Sequence, residues 1–335
     1  MREYGSATVK SRISGSSSAG GSSSGSGGGV LLGALGVLAF SFSFPATDWA
    51  LDGGHGLGPW TVTGLRGVLA GLLALGCLRA GRVPVPERRH WRGLAAVALG
   101  CVVGFPLLTT FALQTAGSAH SAVVIGVLPL ATAVVSAARN RTRLSPWFWG
   151  AALAGAAVVA AFALQQNHGR PTGADLCLLA ALLVCAVGYA EGGRLARSMP
   201  GWQVICWGVV AALPLTALAA AVALAVEPVG LTVHSVVGLG YLAAVSQFGG
   251  FVVWYRGMAA IGVPRASQLQ LAQPLLTLLW SVLLLGERLP LSALVAAVLV
   301  LGCIATTQRA GAAARPVAPA VSTGEPAVSN GGRRS

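Results

Sequence analysis

Charge is what this chain lacks. Only 9% of its 335 residues are charged and nine are acidic, while 55% are hydrophobic. The mean hydropathy is +0.74. A soluble domain carries about 25% charged residues, so a water-exposed surface cannot be built from this composition. One large soluble core is excluded as well, because single cores stop growing near roughly 250–300 residues. Catalytic patterns are missing too. There is no HExxH, no His-rich helix, no Asp-containing phosphotransfer motif and no Ser/His pair within the apolar runs, which argues against an enzyme. No GxxxxGK[ST] loop is present, which argues against a nucleotide-driven pump. The six cysteines, at 77, 101, 177, 185, 206 and 303, form no CxxC and no Cys/His cluster. They read as small apolar core residues, and neither a metal nor a cofactor is implied.

What the chain has is apolar runs of bilayer length, about 20 residues each. Ten are delimited, at 30–48, 60–78, 93–113, 119–138, 146–164, 174–193, 203–225, 235–255, 264–285 and 289–307. They predict an all-α polytopic membrane protein. Residues 1–29 ("SGSSSAGGSSSGSGGG") and 308–335 are too polar and glycine-rich to bury anything and are expected to be disordered tails. A cleaved leader is the alternative for the first run, but no small-residue cleavage site follows it. Placing the N-terminus inside puts 19 of the 22 basic residues in cytoplasmic segments. That bias predicts ten spans in the plasma membrane with both termini cytoplasmic. It also accounts for the net charge of +13 without nucleic acid as a partner.

The chain repeats itself at an offset of 145 residues. "VLPLATAVVSAARNRTRLS" (127–145) falls on "AQPLLTLLWSVLLLGERLP" (272–290), so that Pro129 meets Pro274, Thr132 meets Thr277, Ser136 meets Ser281 and Arg143 meets Arg288. The expected units are therefore 30–164 and 174–307, each of five helices. An odd number of helices inverts the second unit in the bilayer, an arrangement used by secondary transporters. The pair Glu287–Arg288 then sits in a tight turn between helices 9 and 10. There Glu287 is expected to act in the turn or to cap the start of helix 10.

On these residues the chain resembles the EamA-type transporters of the drug/metabolite transporter superfamily. "RGMAAIGVPRASQLQLAQPLLTLLWSVLLLGERL" (256–289) is similar to the family's second repeat. "ALQTAGSAHSAVVIGVLPLATAVVSA" (112–137) is similar to the first, and "LRGVLAG" (65–71) to its helix 2. The first-half turn departs from the pattern, with Thr142 where the second half has Glu287. The resemblance implies export or exchange of small metabolites, often amino acids or related compounds.

Several polar residues inside the runs are candidates for transport. Arg66 is a charge within the bilayer, costing several kcal/mol unless it faces a cavity or partner. It could hold a substrate carboxylate, pair with Asp48, or snorkel outward. Glu191, near the end of helix 6, suits a proton-coupling or amine site, or a pair with Arg194 or Arg256. Gln268, Gln270 and Gln273 on helix 9, with Gln247 and Ser246 on helix 8, are costly in lipid and are expected to face a cavity or another helix. Pro274 frees the carbonyl of Gln270, and Pro129 that of Ile125, so both helices should kink. Phe44, Tyr189, Trp254 and Tyr255 could supply aromatic walls. His120 receives no site.

These residues favour an exporter of small metabolites working by alternating access in the lipid bilayer. A cationic-drug exporter is second, since it wants a central acid and Glu191 lies off centre. A non-transporting scaffold is the alternative of another class. A homodimer stays open.

Overall fold

The computed structural model describes residues 23–140, 145–166, 170–261 and 269–312. Gln268 and most of both expected tails lie outside the described residues. Within them every extended element is helical, apart from an antiparallel bridge between Leu57 and Val229. Eight helices are long and apolar enough to cross a membrane. Leu153, Leu218 and Leu283 are exposed on their outer faces, as in a multi-pass membrane protein whose solvent is lipid. Two further apolar stretches, Ala272–Leu285 and Leu291–Thr307, are shorter among the described residues. Helix 9 is interrupted at Leu271.

The crossing rods are seldom uninterrupted. The first is α1 (Ser23–Ser41) and α2 (Ser43–Leu51), broken at Phe42. Pro45 has no N–H to give the Ser41 carbonyl, so the ladder opens there. The second rod, α3 (Pro59–Ala80), starts with proline at its first position, where a missing N–H costs nothing. The third is α4 (Trp91–Val97), a π segment (Ala98–Gly104) and α5 (Phe105–Leu113). Its wide turn precedes Pro106, which cannot bond to the Val102 carbonyl. The fourth is α6 (Ser118–Ile125) and α7 (Leu128–Asn140). At that break the N–H groups of Leu130 and Ala131 both turn to the Val127 carbonyl. Then come α8 (Pro146–Gln166), α9 (Gly173–Leu195) and α10 (Gly201–Val226). The eighth rod is α11 (Val233–Gly240), a second π segment (Tyr241–Gly249) and α12 (Gly250–Ile261). Last are α13 (Ala272–Leu285) and α14 (Leu291–Ala312). The breaks before Pro129 and Pro274, and the two π segments, recur at the 145-residue offset of the sequence match.

Helices of the first half pack on helices of the second. Helix α1 lies along α12, α3 along α10, α5 and its π segment along α9, α6 on α13, and α8 along α14. Small residues make this possible, because helices in lipid associate by close van der Waals approach. A Cβ on Gly64 would stand 2.6 Å from the backbone nitrogen of Ala220, and one on Gly36 would stand 2.8 Å from the Cβ of Trp254. Two apolar cores result. One gathers Leu78, Leu94, Leu195 and Val204 at the Arg139 face. The other gathers Leu51, Leu57, Leu113 and Ala119 at the Glu287 face and extends along α8 and α14.

At the Glu287 face, two carboxylates cap helices of the opposite half. Glu287 accepts from the backbone N–H groups of Ser118 (2.8 Å) and Ala119 (3.0 Å), at the start of α6. Of the two roles expected from the sequence, a place in the turn and a cap on helix 10, the cap falls instead on α6. Gly286, at φ +66°, turns the chain, and the Glu287 N–H returns to the Ser281 carbonyl at 3.0 Å, aiming the side chain across to α6. Glu227 accepts from the Trp60 N–H (3.2 Å), the Thr61 N–H (2.8 Å) and the Thr61 hydroxyl (2.8 Å) at the start of α3. An anion at a helix N-terminus is stabilised by unpaired N–H groups and the helix dipole together. Glu227→Ala is expected to lower the thermal unfolding midpoint of the detergent-solubilised protein by the equivalent of about 1–2 kcal/mol. Exposed Arg288 gives the reference, with Arg288→Ala expected to leave the midpoint unchanged. Equal midpoints for the two variants would show that the Glu227 cap does not hold α3.

Candidate functional site

Between the two cores, mid-rod breaks converge on a cavity. The break at Phe42 places Phe40, Ser43 and Phe44 in its wall, the Pro106 π segment places Cys101 and Phe105, and the second π segment places Ser246. The opened backbone is re-satisfied from α13 and from the second π segment. The Thr277 hydroxyl donates to the Ser41 carbonyl at 2.7 Å, the carbonyl that Pro45 leaves free. The Trp280 indole N–H donates to the Ser41 hydroxyl oxygen at 2.9 Å, and the Tyr241 hydroxyl to the Ala39 carbonyl at 2.9 Å. Irregular backbone at membrane depth survives where it is buried in protein or lines a cavity. Here it does both.

Arg66 projects from α3 into this cavity and is 7% exposed. Its Nη2 donates to the Ser246 Oγ at 3.2 Å, and Ser246 shares a 2.7 Å hydrogen bond with Ser43. Its Nε has no hydrogen-bond partner. Among the described residues it makes no ion pair, so the expected alternative partner, Asp48, does not take it. Tyr189 on α9 stands in the cavity wall and packs against both cores. Its ring meets Phe251 edge-on, with centroids 6.4 Å apart. Gln270 and Gln273 reach the cavity from the far side, beside the α13 break. A second lobe continues past both glutamines to Pro129, Pro274 and Gly126.

Of the residues singled out in the sequence, the fold therefore brings Arg66, Tyr189, Gln270 and Gln273 together, with Phe44 and Ser246. It does not bring Gln247 or Glu191 to the lining. Gln247 is fully buried in the second π segment, with neither amide atom hydrogen-bonded. Glu191 is 2% exposed and forms ion pairs with Arg139 of α7 and with Arg194, the latter at 2.9 Å. His120, at the start of α6, bonds Asp175 at 2.8 Å and stacks on Phe162. Phe40, Ser43, Phe105 and Phe251 were missed. Pro45 and Pro106 were the available signal for the first three, since each opens a helix next to them.

A larger groove lies between α7, α8 and α9. Its lining is aliphatic apart from Trp149 and Asp175, and Asp175 is held by Thr172 and His120. It offers nothing that would orient a polar solute. The central cavity has the opposite character: polar groups converge within an aromatic wall.

A many-helix membrane protein with a polar cavity at the meeting of broken helices is built as a transporter. The model of the EamA-like transporter family matches residues 27–164 and again 172–307, and the chain belongs to that family. A relative from Bacillus subtilis (strain 168), described as the uncharacterized transporter YdeK, is 40% identical over 281 residues, spanning 84% of this chain and 97% of that protein. One crystal structure of 22% identity aligns at a TM-score of 0.61, covering 83% of this chain and 97% of the other, and supports the fold alone.

Proposed function

We propose that this transporter is a secondary carrier exporting small metabolites, amino acids or related compounds, across the plasma membrane by alternating access. Its ten helices form two inverted five-helix repeats, with both termini and the Arg139 face cytoplasmic. The observation that carries this reading is the cavity itself. Its lining comes from both halves, at helix breaks, and it lies between two separate apolar cores. The recurrence of the helix breaks and π segments at the 145-residue offset supports the repeat. Inversion follows from five helices per unit. The cationic-drug alternative is disfavoured because the cavity lining has one guanidinium and no carboxylate.

The extracellular metabolite profile of cells overproducing the protein tests this. A compound is expected to accumulate outside with the native chain and to stay near the empty-vector level with an expression-matched Gln270→Ala/Gln273→Ala variant. Net uptake, or an unchanged profile together with no flux in proteoliposomes, would contradict export.

A further inference from the structure

The described residues bury two charged side chains, Arg66 and Glu191. Their surroundings differ. Glu191 is met by two guanidinium groups. Arg66 is met by one serine hydroxyl and keeps an unpartnered Nε. Holding arginine at membrane depth is costly unless a partner or a cavity receives it, and one neutral hydrogen bond does not offset that cost. A fold that neutralises its buried acid twice, yet leaves its buried base open to a cavity, has built the base for something that arrives.

The chemistry of that visitor is constrained. A guanidinium presents a planar fork of donors that matches a carboxylate bidentately. Ser43 and Ser246, already hydrogen-bonded to each other, stand beside the fork, and the one hydroxyl proton their mutual bond leaves free can be donated to a second lone pair of the same group. A phosphate dianion would ask for more positive charge than one arginine brings. The wall supplies no carboxylate to a cation but offers Phe40, Phe44, Phe105 and Phe251 to an apolar body.

We propose that the cavity takes a small organic carboxylate with an apolar body, its carboxylate seated on Arg66 beside the Ser43–Ser246 pair. This rests on the reading of the cavity as the transport site. It adds that the occupied site is charge-neutral for a monoanion and that the empty one carries a bare cation.

The test uses the purified full chain in nanodiscs. The readout is ligand-induced thermal stabilisation with 3-phenylpropanoate, its primary amide, 2-phenylethylamine, L-leucine, L-leucinamide and inorganic phosphate. The two carboxylates are expected to stabilise the protein, and the amides and the amine are expected to need at least tenfold higher concentration. Arg66→Lys should weaken carboxylate binding and Arg66→Gln should abolish it. Ser246→Ala, which keeps the cation, should weaken it less. If Arg66→Gln does not fold, the native ligand series and the lysine and alanine variants still decide. The proposal is overturned if the amine or amides bind as well as the carboxylates, if phosphate alone binds, if no carboxylate binds, or if folded Arg66→Gln binds them unchanged. Flux of the same probes in proteoliposomes separates the two readings. Arg66-dependent binding without flux would sink the carrier function and keep the carboxylate site. Flux of the amine that survives Arg66→Gln would keep the carrier and sink the carboxylate site.

Discussion

Replacing Gly64 with leucine is expected to remove the folded protein from the membrane extract. Gly64 faces α10 where a Cβ would stand 2.6 Å from the Ala220 backbone nitrogen and 2.7 Å from its Cα. Backbone cannot rotate aside, so α3 and α10 would have to separate along their length and lose their close packing. The cost is about 3 kcal/mol or more, a large share of the roughly 5–15 kcal/mol that holds a protein folded. The same helix supplies a graded control. At Gly71 the obstacle is the Leu213 Cδ1, the tip of a flexible side chain, and at Gly76 nothing lies within 4 Å. Monodisperse yield by size-exclusion chromatography should therefore fall in the order Gly76→Leu, Gly71→Leu, Gly64→Leu. Equal yields at Gly76 and Gly64 would mean that α3 and α10 do not pack as described.

The second large effect is expected at the Arg139 face. The Glu191 carboxylate is buried, and its charge is balanced by Arg139 and Arg194. Removing both arginines as Arg139→Ala/Arg194→Ala leaves a buried anion without a partner, a change that costs about 3–5 kcal/mol. Both guanidinium groups are half exposed, so the lower end of that range is expected. Glu191→Gln alone should be far milder, since it removes the charge that needs balancing. Adding Glu191→Gln to the double arginine variant should then restore most of the lost thermal stability. This reversal is readable in a mutant cycle. The same variants bear on proton coupling. If Glu191→Gln leaves flux and its pH dependence intact while stability obeys the cycle, the residue fastens α9 to α7. If flux loses its pH dependence with stability unaffected, Glu191 couples transport to protons.

How much of this was legible in the sequence depended on the kind of signal. Rod positions followed from bilayer-length apolar runs, because lipid imposes one hydropathy on every outward face. Breaks in helices 4 and 9 followed from Pro129 and Pro274, whose missing N–H groups have a fixed target four residues back. The same logic applied to Pro45 and Pro106 would have located the breaks beside Ser43 and Phe105. Pro45 lies near the end of its apolar stretch, where it passes for a boundary residue. Pair identity was the illegible part. Glu191 had two candidate arginines nearby in sequence or topology, and its second partner, Arg139, comes from the other half of the chain. Glu287 pointed along the sequence to helix 10, whereas the left-handed Gly286 sends it to α6. Gln247 and Gln270 looked alike as glutamines in apolar runs. Only the turn of their helices separates one buried in packing from one facing the cavity.

The pairing of first-half helices with second-half helices also sets an order of assembly. Residues 59–80 are synthesised about 140 residues before 201–226, so α3 enters the bilayer long before its packing partner exists. Until α10 and α12 follow, the glycine faces of α3 and α1 are bare, and Arg66 has neither Ser246 nor a finished cavity around it. The nascent first half is thus an incomplete object, lacking the contacts its helices make with the second half. Commitment to the folded state comes late, when the second half threads its helices against the first. Substitutions along α10 and α12 should accordingly be read first as defects of biogenesis, seen in the lifetime of the newly made chain, before they are read as defects of transport.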